Sequence, residues 1–138
     1  MTSAPAATGL SLPAAVAREL LAHARRELPN EACGLLGGDA ATGTVQAFHP
    51  ASNELASPLR FSVDGQDLVR ITFAMEAAGQ ELVAIFHSHP AGSAEPSPSD
   101  IREAHYPAAL HLLTGRDGSL RAWRIRVGSA TEVPLTVA

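Results

Sequence analysis

Aromatic residues are scarce in this chain of 138 residues, and cysteine is nearly absent: aromatics make up 4% of it, and Cys33 stands alone. A single thiol excludes an internal disulfide and a thiol-rich zinc cluster. Lysine is missing altogether, because all ten basic residues are arginine, so no side-chain amine can form a Schiff base. No apolar run approaches the ~18 residues that a membrane span requires. Positive charge is also in short supply. The formal net charge of −4 argues against nucleic acid or an anionic membrane as partner.

What is present suits a folded domain. The length is that of one domain able to bury a core without staples. A hydrophobic content of 46% against 17% charged residues separates the chain from disordered sequences. Residues 1–9 are small and polar, without the basic and apolar regions of a signal peptide. They read as a disordered N-terminal tail ahead of a domain over 10–138, with the cytoplasm as the expected compartment.

Hydrophobic spacing sets out the elements. Leu12, Val16, Leu20 and Ala24 recur at four-residue steps, widened by Leu21 and Leu28, which predicts an amphipathic helix from Leu12-Pro13 to before Pro29. Residues 32–37 form a short apolar run, 38–43 a turn and 44–49 a second strand, together a hairpin. Residues 50–60 read as a loop and Phe61-Ser62-Val63 as a brief strand. Asp64 then caps a helix marked by Leu68, Ile71, Met75 and Ala78.

Leu82 to Phe86 is the most apolar stretch. A short helix is expected over Ser99 to His105, and strands over 108–114, 119–127 and 132–137. There are no internal repeats. Hairpins interspersed with helices imply an α/β fold with a mixed sheet in a sandwich.

Chemistry concentrates at the end of the apolar strand. His87 and His89 stand two apart, so a strand projects both from one face, about 6–7 Å apart along the chain. That spacing suits two imidazoles converging on one ion. Asp100 lies across the Pro/Ser-rich loop 91–98 and could close a His₂–carboxylate set with an open position for water. Ser97 with Asp100 equally fits a helix capping box, and by itself that reading of Asp100 is the simpler one. Ser88, between the histidines, faces the other way and suits packing or a local hydrogen bond. Cys33 suits a buried small residue. His23, His49, His105 and His111 suit surface or core positions. Arg121, Arg124 and Arg126 suit a solvated face, with Arg124 and Arg126 available to a partner.

His87-Ser88-His89-Pro90 followed after six residues by Ser97-Pro98-Ser99-Asp100 resembles the metal motif of the JAMM (MPN+, JAB) zinc metalloprotease family. The segment Asn30 to Gly38 is similar to that family's glutamate-bearing strand, and Asn53 with Phe61-Ser62-Val63-Asp64 fits the stretch between. The resemblance covers roughly residues 10–127. It implies a single-domain mixed sheet flanked by helices, of the cytidine-deaminase-like kind. It implies one catalytic Zn²⁺ on His87, His89 and Asp100, Glu31 as general base and then acid, and Ser97 as an oxyanion donor. It further implies a peptidase or isopeptidase of the compact prokaryotic type, acting after the Gly-Gly of a ubiquitin-like or sulfur-carrier protein. A non-catalytic MPN scaffold and a zinc hydrolase of small amides are the alternatives. The scaffold kind lacks the metal ligands, which this chain has.

Overall fold

Four-residue apolar spacing produces the first helix, and local capping chemistry starts the other two. α1 (Ala14–Arg26) buries Val16, Ala17, Leu20 and His23 on one face, and its basic last turn complements the negative helix end. α2 (Gly65–Ala77) begins where the Asp64 carboxylate accepts the Asp67 N–H, and it buries Ile71 and Met75. α3 (Pro98–Arg102) is a short turn of helix opened by Ser97.

The structure is a computed structural model, and it describes residues 7–138. Within them run strands β1 (Leu10–Leu12), β2 (Cys33–Asp39), β3 (Thr44–Ala51), β4 (Glu81–Ser88), β5 (Leu110–Thr114), β6 (Leu120–Arg126), β7 (Ser129–Val133) and β8 (Leu135–Val137). They form one sheet in the order β7-β6-β5-β4-β2-β3-β1-β8. The β4–β5, β1–β3 and β1–β8 pairs are parallel and the others antiparallel, so the sheet is mixed, as the hairpins implied. β7 and β8 lie at opposite ends of that order, yet only Pro134 separates them. One intervening residue bridges at most about 7 Å between Cα atoms. The sheet therefore curls until its two edges meet.

Alternation along the strands sends side chains to two faces. Leu36, Ala84, Phe86, Leu110, Leu112 and Ala122 pack with Val16, Ala17 and Leu20 of α1. Cys33, Leu35 and Ile85 pack with Ile71 and Met75 of α2, while Leu113, Trp123 and Ile125 pack against Ile101 of α3. Gly34 is required on the first face. A Cβ there would fall 2.4 Å from Cε1 of Phe48, whose ring packs edge-on against Phe86.

Some sequence expectations give way. Leu12, expected at the helix start, belongs instead to a strand over Leu10–Leu12 that pairs with β8 and β3. Phe61–Val63 contributes only an isolated bridge from Val63 to Asn53. The last strand is two, split at Pro134, which has no N–H for a ladder. Of the expected tail, residues 1–6 lie outside the described residues. Ala7 is packed in the core, and Gly43, at φ +73° in the β2–β3 turn, lets Gly9 pass closely.

Candidate metal centre

β4 carries the first of the site residues into the interior. His87 is fully buried, opposite Cys33 on β2 and Leu113 on β5. His89 lies just beyond the strand, and its N–H donates to the Thr114 carbonyl at 2.8 Å. The loop that follows is tied back onto the sheet. Arg116 N donates to Gly92 O at 2.7 Å, and Trp123 Nε1 donates to Ala94 O at 2.9 Å. This return delivers α3, and with it Asp100, to the two histidines.

Three atoms then converge. Nε2 of His87 and Nε2 of His89 are 3.1 Å apart, and Oδ2 of Asp100 lies 3.1 Å from the first and 3.0 Å from the second. Zinc–ligand arms of about 2.0–2.1 Å set tetrahedral ligand atoms about 3.3 Å from one another, so this triangle has nearly the size of one face of such a site. The tautomer of His89 agrees. Its Nδ1–H donates to the Ser93 carbonyl at 2.8 Å, which leaves the Nε2 lone pair facing the centre. The residues present therefore fit a metal ion.

The capping box is present as well: Ser97 Oγ accepts the Asp100 N–H, and Asp100 Oδ2 accepts the Ser97 N–H at 2.8 Å. Both readings of Asp100 thus fall on one oxygen. The helix start holds the carboxylate where the histidines need it. Ser97 Oγ also lies 3.1 Å from Ser99 Oγ.

A second carboxylate, that of Glu31, lies close to the same histidines. Glu31, His87 and His89 bring ligand-type atoms within 4.8 Å of one another. Glu31 is 3% exposed, and its Oε1 has no partner among the described residues. Burial pushes its carboxyl up to about 7; the charge of Asp100 adds to the rise, while His89 opposes it. Asp100 goes the other way. Burial alone would raise it, but the imidazole groups of His87 and His89 and the Ser97 N–H around its Oδ2 hold it well below the usual carboxylate range. Burial lowers His87. For His89 burial is outweighed by its hydrogen bonds to Asp100 and the Ser93 carbonyl, and it rises.

Several contributors were not legible as site residues. Phe61 stacks on the His87 ring at 4.3 Å. Ser88 Oγ accepts the N–H of Ala32 at 2.8 Å, a bond that holds the Glu31 segment. His111, in the buried run of β5, lines with His87 and Asp100 a cavity of about 820 Å³ whose walls include Leu35, Phe61 and Met75. A histidine within the apolar run Leu110-His111-Leu112-Leu113 was the available signal. Burial pushes His111 down to about 4, with His87 adding to the effect. Two further histidines are structural: His23 Nε2–H donates to the Cys33 and Ala51 carbonyls, and His49 pairs with Gln80, while the exposed His105 lies at the wall of the same cavity. Arg121 pairs with Glu95 and Glu132, and Arg124 donates to the Ala7 carbonyl.

Comparison with known proteins places the chain. Residues 13–126 match the family model described as prokaryotic homologs of the JAB domain. A desampylase of Haloferax volcanii is 38% identical over 82% of this chain and 85% of its own length. A CysO-cysteine peptidase of Mycobacterium tuberculosis is 36% identical over 93% and 90%. The solution structure of a protein from Desulfitobacterium hafniense superposes with a TM-score of 0.86 at 33% identity, covering 94% of this chain and 92% of that one. The chain belongs to the prokaryotic JAB-domain family.

Proposed function

We propose that this JAB-domain protein is a zinc metallopeptidase that hydrolyses the amide bond after the C-terminal Gly-Gly of a ubiquitin-like or sulfur-carrier protein. The observation that carries the chemistry is the triangle of His87, His89 and Asp100 with Glu31 at its flank. The substrate class rests on relatives named desampylase and CysO-cysteine peptidase. The reading takes residues 10–138 as one catalytic domain in the cytoplasm, where the free thiol of Cys33 stays reduced.

The two carboxylates divide the work by their acidity. A ligand must be ionised, and Asp100 is held strongly acidic. A group that takes and returns a proton works best when it titrates near the working pH, and Glu31 stands at about 7. His87, His89 and Asp100 would hold one zinc ion, which when bound acidifies a water and polarises a carbonyl. Glu31 takes the proton of the attacking water and hands it to the leaving amine. Ser97 Oγ accepts from Asp100 N and shares a hydrogen bond with Ser99 Oγ, so with Ser99 as the donor its own proton turns toward the oxygen of the substrate carbonyl as charge builds there.

The test combines metal content with cleavage of carriers extended beyond Gly-Gly. His89→Ala should lose zinc. Glu31→Gln should keep zinc and lose turnover by about 10²–10⁴-fold, the usual worth of a positioned proton carrier. If both variants cleaved at the parent rate, the assignment would be wrong.

A further inference from the structure

Glu31 precedes the first residue of β2, so no strand ladder satisfies its backbone. Both of its polar groups are instead taken by the loop between β3 and α2. Its N–H donates to the Ser57 carbonyl at 2.8 Å, and its carbonyl accepts Nδ2 of Asn53 at 3.1 Å. The same Asn53 amide closes the loop on itself. Nδ2 also donates to Arg60 O at 3.0 Å, while Oδ1 accepts Leu55 N at 3.1 Å and Ser62 N at 3.0 Å. A side-chain amide has two donor hydrogens and two acceptor lone pairs. These four bonds use all of them, and Nδ2 also stands 3.5 Å from the Ser57 carbonyl.

The loop so tied touches the centre twice. It grips the Glu31 backbone, and its Phe61 ring lies on the His87 imidazole. On the opposite side, Ala32 and Ser88 hold each other through Ala32 N to Ser88 Oγ and Ser88 N to Ala32 O. Glu31 is thus fixed between the end of β4, which carries His87, and a loop organised by one residue.

We propose that Asn53 is a positioning residue that sets the Glu31 carboxylate against the His87–His89–Asp100 centre. The inference rests on the role given to Glu31 above. Only an amide supplies both donors and acceptors at this point. An aspartate keeps the acceptors for Leu55 N and Ser62 N, but it turns a charged oxygen toward the Glu31 and Arg60 carbonyls.

Asn53→Asp is therefore the discriminating variant, and Asn53→Ser, with one hydroxyl for the loop, is its milder companion should Asp disorder the loop. Ser57→Ala is the control. It removes only the bond from Leu59 N to Ser57 Oγ within the loop and leaves the Ser57 carbonyl on Glu31. In the zinc-loaded enzyme, Asn53→Asp should lower kcat by about 10- to 100-fold, the scale of a misplacement near 1 Å. KM and zinc content should stay at the parent values. In the metal-free protein, amide hydrogen exchange at Glu31 should accelerate in Asn53→Asp and not in Ser57→Ala.

Parent kcat in both Asn53 variants would overturn the proposal. So would an equal loss in Ser57→Ala, zinc loss matching the activity loss, or unchanged exchange at Glu31. If the parent itself cleaves no extended carrier, the reading of Glu31 fails, while the exchange result still decides whether Asn53 holds that segment.

Discussion

Phe86 and His87 are consecutive residues of one strand, both fully buried, and they belong to opposite faces of the sheet. The Phe86 side, covered by α1, is mainly an aliphatic and aromatic core, with Thr114 Oγ1 and Arg124 Nε as its buried polar atoms without a partner among the described residues. The His87 side, covered by α2 and α3, also holds Glu31 and His111, and each of these three has a buried polar atom without a partner among the described residues. Such atoms cost stability, about 1–3 kcal/mol for a neutral group. Apolar burial dominates the α1 face, and the titratable groups of the metal centre gather on the other.

Substitution of the two neighbours separates these contributions most sharply. His87→Leu should abolish zinc binding and turnover while leaving the metal-free protein at least as stable in urea, since it replaces an imidazole whose Nδ1 is unpaired. Phe86→Ala should do the reverse. It should cost about 3–5 kcal/mol, seen as a lower urea midpoint, with zinc stoichiometry preserved in the fraction that stays folded. Equal stability losses for both would erase the distinction between the faces.

His111 offers a smaller effect with a definite sign. Its value is about 4 in the folded protein against the ordinary 6.5. Between those values the unfolded chain takes up a proton that the folded one refuses. Its contribution to stability is therefore complete above pH 6.5 and is lost as pH falls toward 4, by at most about 3 kcal/mol. Glu31 slopes oppositely: its value is raised from 4.5 to about 7, so its contribution is present below pH 4.5 and fades as pH rises through 7. The parent and His111→Leu should be compared in metal-free form. On going from pH 7.5 to pH 5 the variant should gain about 2 kcal/mol of stability relative to the parent, in which the His111 loss offsets the Glu31 gain; an identical pH dependence would remove His111 as a source of the acid loss.

Cys33 gives the smallest and simplest readout. It is fully buried opposite His87, and burial pushes its thiol up to about 12. The native protein should resist maleimide at pH 8 and label only at the rate of opening; rapid labelling would show that this face is not closed.

Much of the architecture could be read without coordinates, and the failures have a common cause. The helix capped by Asp64, the β2–β3 hairpin and the apolar β4 depend on spacing and turn chemistry within a few residues, and all are present. The strand at 10–12 was missed because its partners, β8 and β3, are far away in sequence, while Leu12 falls in step with the helical stripe that follows. At the centre, the bonds of Phe61 to His87, Ser88 to Ala32 and Asn53 to Glu31 join segments 22 to 56 residues apart. No short-range pattern announces them.

The opening absences keep their meaning in three dimensions. With one cysteine and no lysine, a site for a hard chemical task had to be built from histidine and carboxylate, and the residue order alone determined that His87 and His89 share a face and that Ser97 starts a helix. Tertiary structure decided the rest. It put Asp100 Oδ2 on the helix cap and on both histidines at once, and it carried Glu31 across the chain to the same nitrogens. It also brought the sheet's two end strands together at Pro134. Local preferences are dictated by neighbours along the chain, whereas convergence requires loop closure and strand register, which belong to the fold as a whole.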